Sequence, residues 1–270
     1  MKRSTVASIT AVSLVVCYLP VLSGMFNQWV QDQDMAHGIL VPLVIPWIVW
    51  KERSRWMNLP ASPSAWGFAI LAVAACVHFV SNAAAGLFAG SVAFVLSVAG
   101  VVLCLGGSAF LRTWSFPFLL MLFSLPKLAV VYNQATLPLQ ILASRLAAGM
   151  LLAGGAVVTR EGNILDVGGH RIAVVEACSG VRYLLSLGFM AVVFAYLSDA
   201  KPWMRVALLA AAVPVAILAN AIRVAVSASI PVLDSGTLHD FLGGLVFVLC
   251  LVMLVVVHRL FNTAYARYHD

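Results

Sequence analysis

Residues 203–222, WMRVALLAAAVPVAILANAI, carry a single charged side chain, Arg205, close to their start. About 20 mostly apolar residues in a helix rising 1.5 Å each cross the ~30 Å hydrocarbon core of a bilayer. This stretch therefore reads as a transmembrane helix. Comparable runs lie at residues 5–22, 37–50, 66–83, 86–106, 108–125, 180–198 and 240–258, and they set the expected fold: an all-α polytopic membrane protein of about eight transmembrane helices. Pro42 and Pro46 in the second run and Pro214 in the seventh predict kinks or reoriented helix ends.

Apolar residues make up 63% of the chain and charged residues 10%, which excludes an ordinary soluble domain at about half apolar and a quarter charged. The formal charge of +6 is dispersed among apolar runs and forms no stripe that would track phosphates, so nucleic acid is not an expected partner. One membrane domain is expected over residues 1–270. Met1-Lys2-Arg3 ahead of an apolar stretch without a small-x-small site predicts an uncleaved first span.

Basic residues assign the sides. Lys2, Arg3, Lys51, Arg53, Arg55, Arg112, Lys201, Arg205, Arg259 and Arg267 all fall on one side, which the positive-inside rule makes cytoplasmic, with both termini. The other side receives Asp32 and Asp34, the stretch 126–180 and the connection 229–239. Within that stretch, residues 127–150 mix polar side chains with an apolar face, and an interfacial or re-entrant helix is expected. Residues 164–167 and 171–175 flank Gly168-Gly169 and predict a small extracytoplasmic β-hairpin leading into Cys178.

Four of the five cysteines, Cys17, Cys76, Cys104 and Cys250, sit inside apolar runs without C-x-x-C spacing, so neither a disulfide framework, a metal nor another cofactor is expected. Cys178 differs. It lies in Glu176-Ala177-Cys178-Ser179-Gly180, at the mouth of an apolar run with a helix expected to begin near Ser179. Exposed N–H groups there favour a nucleophilic thiolate, and Arg182, on the same expected helical face, would assist. The alternative is a cysteine that only fills space. Asn220 and Arg223, three residues apart and so on one helical face, close the seventh run, and an arginine at that depth costs about 2.5–3.5 kcal/mol unless it is partnered. A snorkelling arginine is the competing reading. His239 falls in Thr237-Leu238-His239-Asp240, a capping-box pattern whose helix dipole favours the neutral imidazole that accepts a proton. Thiol, guanidinium and imidazole on one outer edge suffice for acyl transfer. His37, opening the second span from the outer side, is a further lining candidate, with a structural interfacial histidine as its alternative.

These residues resemble the exosortase and archaeosortase family of integral membrane transpeptidases. The resemblance rests on Glu176-Ala177-Cys178-Ser179-Gly180-Val181-Arg182, Asn220-x-x-Arg223, and His239 followed by Gly243-Gly244, with support from Asp34-Met35-Ala36-His37-Gly38 and Glu161-Gly162-Asn163. Residues 34–38 depart from the aromatic-Ser-His-Gly flavour usual in the family. The resemblance implies Cys178 as nucleophile with Arg223 and His239 completing a triad. It also implies, as substrates, exported proteins with a carboxy-terminal sorting signal: a short Pro-Glu-Pro-like motif, a membrane span and a basic tail. Cleavage on the outer face of a bacterial inner membrane, transfer of the new carboxyl to an acceptor and an association with exopolysaccharide production follow from it. The runner-up is a small-solute transporter or a non-enzymatic scaffold of a polysaccharide export machine.

Overall fold

The computed structural model describes residues 3–84, 86–174, 179–199, 201–230 and 237–269. They form two compact units, Met1–Leu128 and Ala129–Asp270.

The first unit opens with α1 (Arg3–Cys17) and α2 (Leu19–Gln31), bent by 67° at Tyr18, the geometry of a broken span or a re-entrant loop. A short 3-10 helix, Gln33–Leu40, leads into α3 (Val41–Lys51), where Pro42 occupies the tolerated first turn and Pro46 lies inside the helix. After α4 (Arg53–Met57), the hairpin of α5 (Trp66–Ala83) and α6 (Leu87–Leu105) supplies two of the apolar spans expected from the sequence. The run 108–125 departs from expectation, forming two short helices, α7 (Ser108–Thr113) and α8 (Ser115–Leu122). Pro117 explains the break, because it has no N–H to give the Thr113 carbonyl and its ring crowds that oxygen.

The second unit begins with α9 (Ala129–Ala153), one continuous helix through Pro138 that is long and apolar enough to cross a membrane. Here the stretch expected at the interface provides a candidate span. One stripe of its polar residues faces inward: Thr136, Gln140 and Ser144 are buried, while Asn133, Gln134 and Arg145 are exposed, and Thr136 Oγ1 donates to the Tyr132 carbonyl at 2.7 Å. The expected hairpin is a three-stranded antiparallel sheet of β1 (Val158–Glu161), β2 (Ile164–Val167) and β3 (His170–Ala173). Gly168 and Gly169 both take positive φ in the two-residue turn between β2 and β3, the geometry that matches strand twist. The inner face of the sheet, Leu165 opposite Ile172, packs on Ala143 and Ala147 of α9 and on residues 224–228 of the next long helix but one.

Three long helices complete the unit: α10 (Val181–Ser198), α11 (Pro202–Ser229) and α12 (Thr237–His269). Ala212, Ala216 and Ala219 make a narrow face on α11 that packs with Leu187 and Ala191 of α10 and Val246, Cys250 and Leu254 of α12. Small residues at such seams let helices approach closely when lipid offers no hydrophobic drive. Cys250, fully buried there, is the space-filling cysteine its run predicted. Among the described residues, seven helices are long and apolar enough to span, or eight with the bent α1–α2 pair, in line with the expected all-α polytopic fold.

At the end away from the sheet, Lys201, Arg205 and His258 gather around Asp199. Asp199 Oδ1 accepts from the Lys201 N–H at 2.8 Å, Asp199 Oδ2 lies 3.5 Å from His258 Nε2, and Arg205 Nε donates to the Asp199 carbonyl at 2.8 Å. The backbone N–H of Lys201, helped by His258 and the Lys201 charge, holds the Asp199 carboxyl below its ordinary value against the opposing effect of burial.

Candidate functional site

Alpha-helix α11 carries the polar face of the second unit. Asn220, Arg223 and Ser227 follow at i, i+3 and i+7, all buried, with Asn220 1% and Arg223 2% exposed. Arg223 was expected to end its span. The helix instead runs six residues further, to Ser229. From Pro202 to Arg223 the rise is about 31 Å, so the guanidinium sits near the far boundary of a ~30 Å core, shielded by protein.

Two neighbouring helices approach this face where glycines admit them. Gly180 precedes α10 in the left-handed conformation, φ 86° and ψ 0°. A Cβ there would come within 2.9 Å of Asn220 Nδ2 and 3.0 Å of its Cγ, so glycine is required both by backbone angle and by contact. On α12, Gly243 meets Tyr183 and Arg223: a Cβ would lie 3.2 Å from the Tyr183 hydroxyl and 3.8 Å from Arg223 Nη2. Gly243 packs closely here, whereas Gly244 has nothing within 4 Å of where a Cβ would stand. Tyr183, 3% exposed, donates its hydroxyl to the Gly243 carbonyl at 3.3 Å, and the Arg223 Cζ lies 5.6 Å from the centre of its ring, within cation–π range.

The approach to Cys178 is anchored on both flanks. Val174, at the end of the sheet, donates its N–H to the Asn163 carbonyl at 2.8 Å, and its carbonyl accepts from Asn163 Nδ2 at 3.1 Å. Asn163 belongs to the Glu161-Gly162-Asn163 turn, itself held to α9 by Ser144 Oγ donating to the Gly162 carbonyl at 3.0 Å. On the other flank, Ser179 is buried and its Oγ accepts from the Val181 N–H at 3.4 Å. Cys178 and Glu176 themselves lie outside the described residues. A cavity of about 10 Å³, room for one water, adjoins Ser179, Gly180 and Asn220 and is closed by Leu142, Ala143 and Ile217.

Position 239 lies in the first turn of α12, one helical turn before Gly243 and so on the face that meets Arg223. Helix α12 is described from Thr237 onward, and the side chains of Thr237, His239 and Asp240, on which the capping pattern rests, are outside the described residues. Helix α10 begins at Val181, two residues later than expected. Left-handed Gly180 precedes this helix, and Arg182 is half-buried in its first turn; its relation to Cys178 lies outside the described residues. Tyr183 is the site residue the sequence reading missed. A lone aromatic hydroxyl in an otherwise apolar stretch was its only signal.

His37 belongs to the first unit. It is 6% exposed and hydrogen-bonded to the backbone of Asp34 and Phe123. Beside it Trp29 Nε1 donates to the Ser124 carbonyl at 3.0 Å, and Lys127 Nζ lies 2.8 Å from Asp32 and 3.3 Å from Asp34. Burial alone would lower the Lys127 pKa, but hydrogen bonds and charge from Asp32 and Asp34 outweigh it and hold the ammonium above its ordinary value.

Chemically, a desolvated guanidinium fixed between an aromatic ring and a helix backbone is a prepared receptor for an anionic oxygen. No group of three or more metal-binding side chains occurs among the described residues. Comparison with curated proteins and with solved structures gave no match. The family model described as Transmembrane exosortase matches residues 29–256, a stretch that takes in Asp34–Gly38 and the positions 178, 223 and 239 alike, and the chain belongs to that family.

Proposed function

We propose that this exosortase is a membrane cysteine transpeptidase in which Cys178, Arg223 and His239 act together. One observation carries the reading: Gly180, two residues after Cys178, and Gly243, one turn after His239, both pack on the Asn220–Arg223 face of α11. That packing supports a site in which the three groups meet at one end of the second unit. In the proposed reaction the Cys178 thiolate attacks a peptide carbonyl carbon, forming a C–S bond and an oxyanion that Arg223 stabilises. His239, having taken the thiol proton, returns it to the departing amine as the C–N bond breaks. Water or an acceptor amine then attacks the thioester and releases the thiol.

Substrates on this reading are exported proteins with a carboxy-terminal sorting signal whose span lies in the same bilayer. The site faces the periplasm of a bacterial inner membrane, both termini being cytoplasmic, because Lys201, Arg205, Arg259 and Arg267 lie toward the end of the second unit away from Gly180. Arg182, Asn220 and Glu176 support the nucleophile segment, and His37 serves substrate or structure in the first unit. Cys178→Ala is expected to insert normally and to abolish processing of a co-expressed tagged substrate, with Cys178→Ser nearly as inactive; cleavage unchanged in Cys178→Ala contradicts the reading. A transport reading draws on the break at Tyr18, whose hydroxyl is 2.9 Å from Ser97 Oγ inside the first unit, since broken helices mark many transporters. It predicts solute uptake that is insensitive to Cys178.

A further inference from the structure

We infer that Tyr183 is a positioning residue for this reaction, setting the direction of the Arg223 guanidinium through its ring while its hydroxyl is tied to α12. The inference rests on the transpeptidase reading and adds to it a residue and a geometry. Arginine carries several rotatable bonds, and a guanidinium free to swing would spend little time where the oxyanion forms. Three features bear on it here. The Tyr183 ring lies beside the guanidinium carbon at 5.6 Å, the ring is oriented by its hydroxyl donating to the Gly243 carbonyl at 3.3 Å, and the missing side chain at Gly243 leaves that hydroxyl uncrowded, since a Cβ would lie 3.2 Å from it. Tyr183 comes from α10, Arg223 from α11 and Gly243 from α12, so one side chain couples the helix that follows Cys178 to the helix that carries His239.

The test uses the full-length protein in membranes with a tagged sorting-signal substrate. Gly243→Ala puts a methyl group 3.2 Å from the Tyr183 hydroxyl and is expected to lower kcat roughly tenfold with KM little changed. Tyr183→Phe keeps the ring and removes the hydroxyl; alone it is expected to cost no more than about threefold, and combined with Gly243→Ala it is expected to restore most of the lost kcat. Tyr183→Leu removes the ring and is expected to lower kcat by roughly 3- to 30-fold, the range of a partly desolvated cation–π contact. Alkylation of Cys178 by iodoacetamide is expected to stay within about twofold of wild type in all of them, which a general loosening of α10 would not allow. Gly243→Ala losses that Tyr183→Phe fails to relieve overturn the inference, as does a Tyr183→Leu protein with wild-type kcat. Should Tyr183→Leu fail to insert, the Gly243→Ala rescue decides alone. Cys178→Ala run in parallel separates the two levels: persistence of cleavage there removes the transpeptidase reading itself, whereas loss of cleavage there with no rescue removes only the role of Tyr183.

Discussion

The two ends of the second unit handle positive charge in opposite ways. Away from the sheet, Lys201 and Arg205 are half-buried beside Asp199, and aromatic rings cover them: Lys201 Nζ lies 4.1 Å from the Tyr265 ring centre and Arg205 Cζ 5.0 Å from that of Tyr196. Acid, base and aromatic belt satisfy one another there, and charge serves to hold the helix ends at a membrane surface. Near the sheet, Arg223 is 2% exposed and shares its surroundings with a tyrosine ring, two glycines and an asparagine. The same residue type is thus an anchor at one end and a sequestered, oriented cation at the other. Burial by protein, more than the presence of an arginine near a membrane boundary, separates the two.

The widest contrast comes from exchanging arginines for alanine. Arg223→Ala is expected to lower processing by roughly 100-fold or more, the loss typical of an oxyanion donor, while Arg205→Ala stays within about threefold; substrate-cleavage assays on membranes with matched protein levels measure both. Equal losses would erase the distinction between the two ends. Gly180→Ala comes next. Positive φ and the contact with Asn220 together predict a destabilisation of about 1–3 kcal/mol, read as a lowered thermal midpoint in detergent, with activity falling further because the segment carrying Cys178 is displaced.

Lys127 offers an intermediate case, a cation between two acids in the first unit. Lys127→Met leaves Asp32 and Asp34 facing each other and is expected to cost about 1–2 kcal/mol near neutral pH. Because its folded pKa is raised, the contribution of Lys127 is fully present below its unfolded value near 10.4 and is lost as pH climbs through the folded value. The smallest effect belongs to Asp199→Asn, under about 1 kcal/mol. Its carboxyl is depressed, so the contribution is present above about pH 4 and disappears as pH falls through the folded value. Thermal melts across pH check both signs.

Much of this architecture is legible in the sequence. Spans such as 66–83 and 86–106 reappear within a residue or so as helices, since an apolar run between turns leaves the backbone no other way to satisfy its hydrogen bonds in lipid. Residues 127–150 were expected as an interfacial or re-entrant helix from their mixed composition; the partners add that Gln140 and Ser144 point toward Asn163 and Gly162. The misreadings have physical reasons. The run 108–125 looked continuous because its apolar character hides what Pro117 does to the carbonyl of Thr113. Strand β1 was missed, being four residues of Val-Thr-Arg-Glu whose alternation has meaning only against β2. Of the site, Asn220 and Arg223 could be read from spacing and from the cost of burying charge, and Gly243 entered through the family resemblance. Tyr183 could not, since its role exists only where three helices meet.

Trapping the acyl-enzyme tests the central claim most directly. Rapid acid quenching of the wild-type protein turning over a tagged substrate, followed by mass spectrometry of the peptide containing Cys178, is expected to reveal a hydroxylamine-sensitive thioester carrying the amino-terminal portion of the substrate, absent in Arg223→Ala. Substrate cleaved at the normal rate while Cys178 remains unmodified under every quench, and while Cys178→Ala stays active, would contradict it.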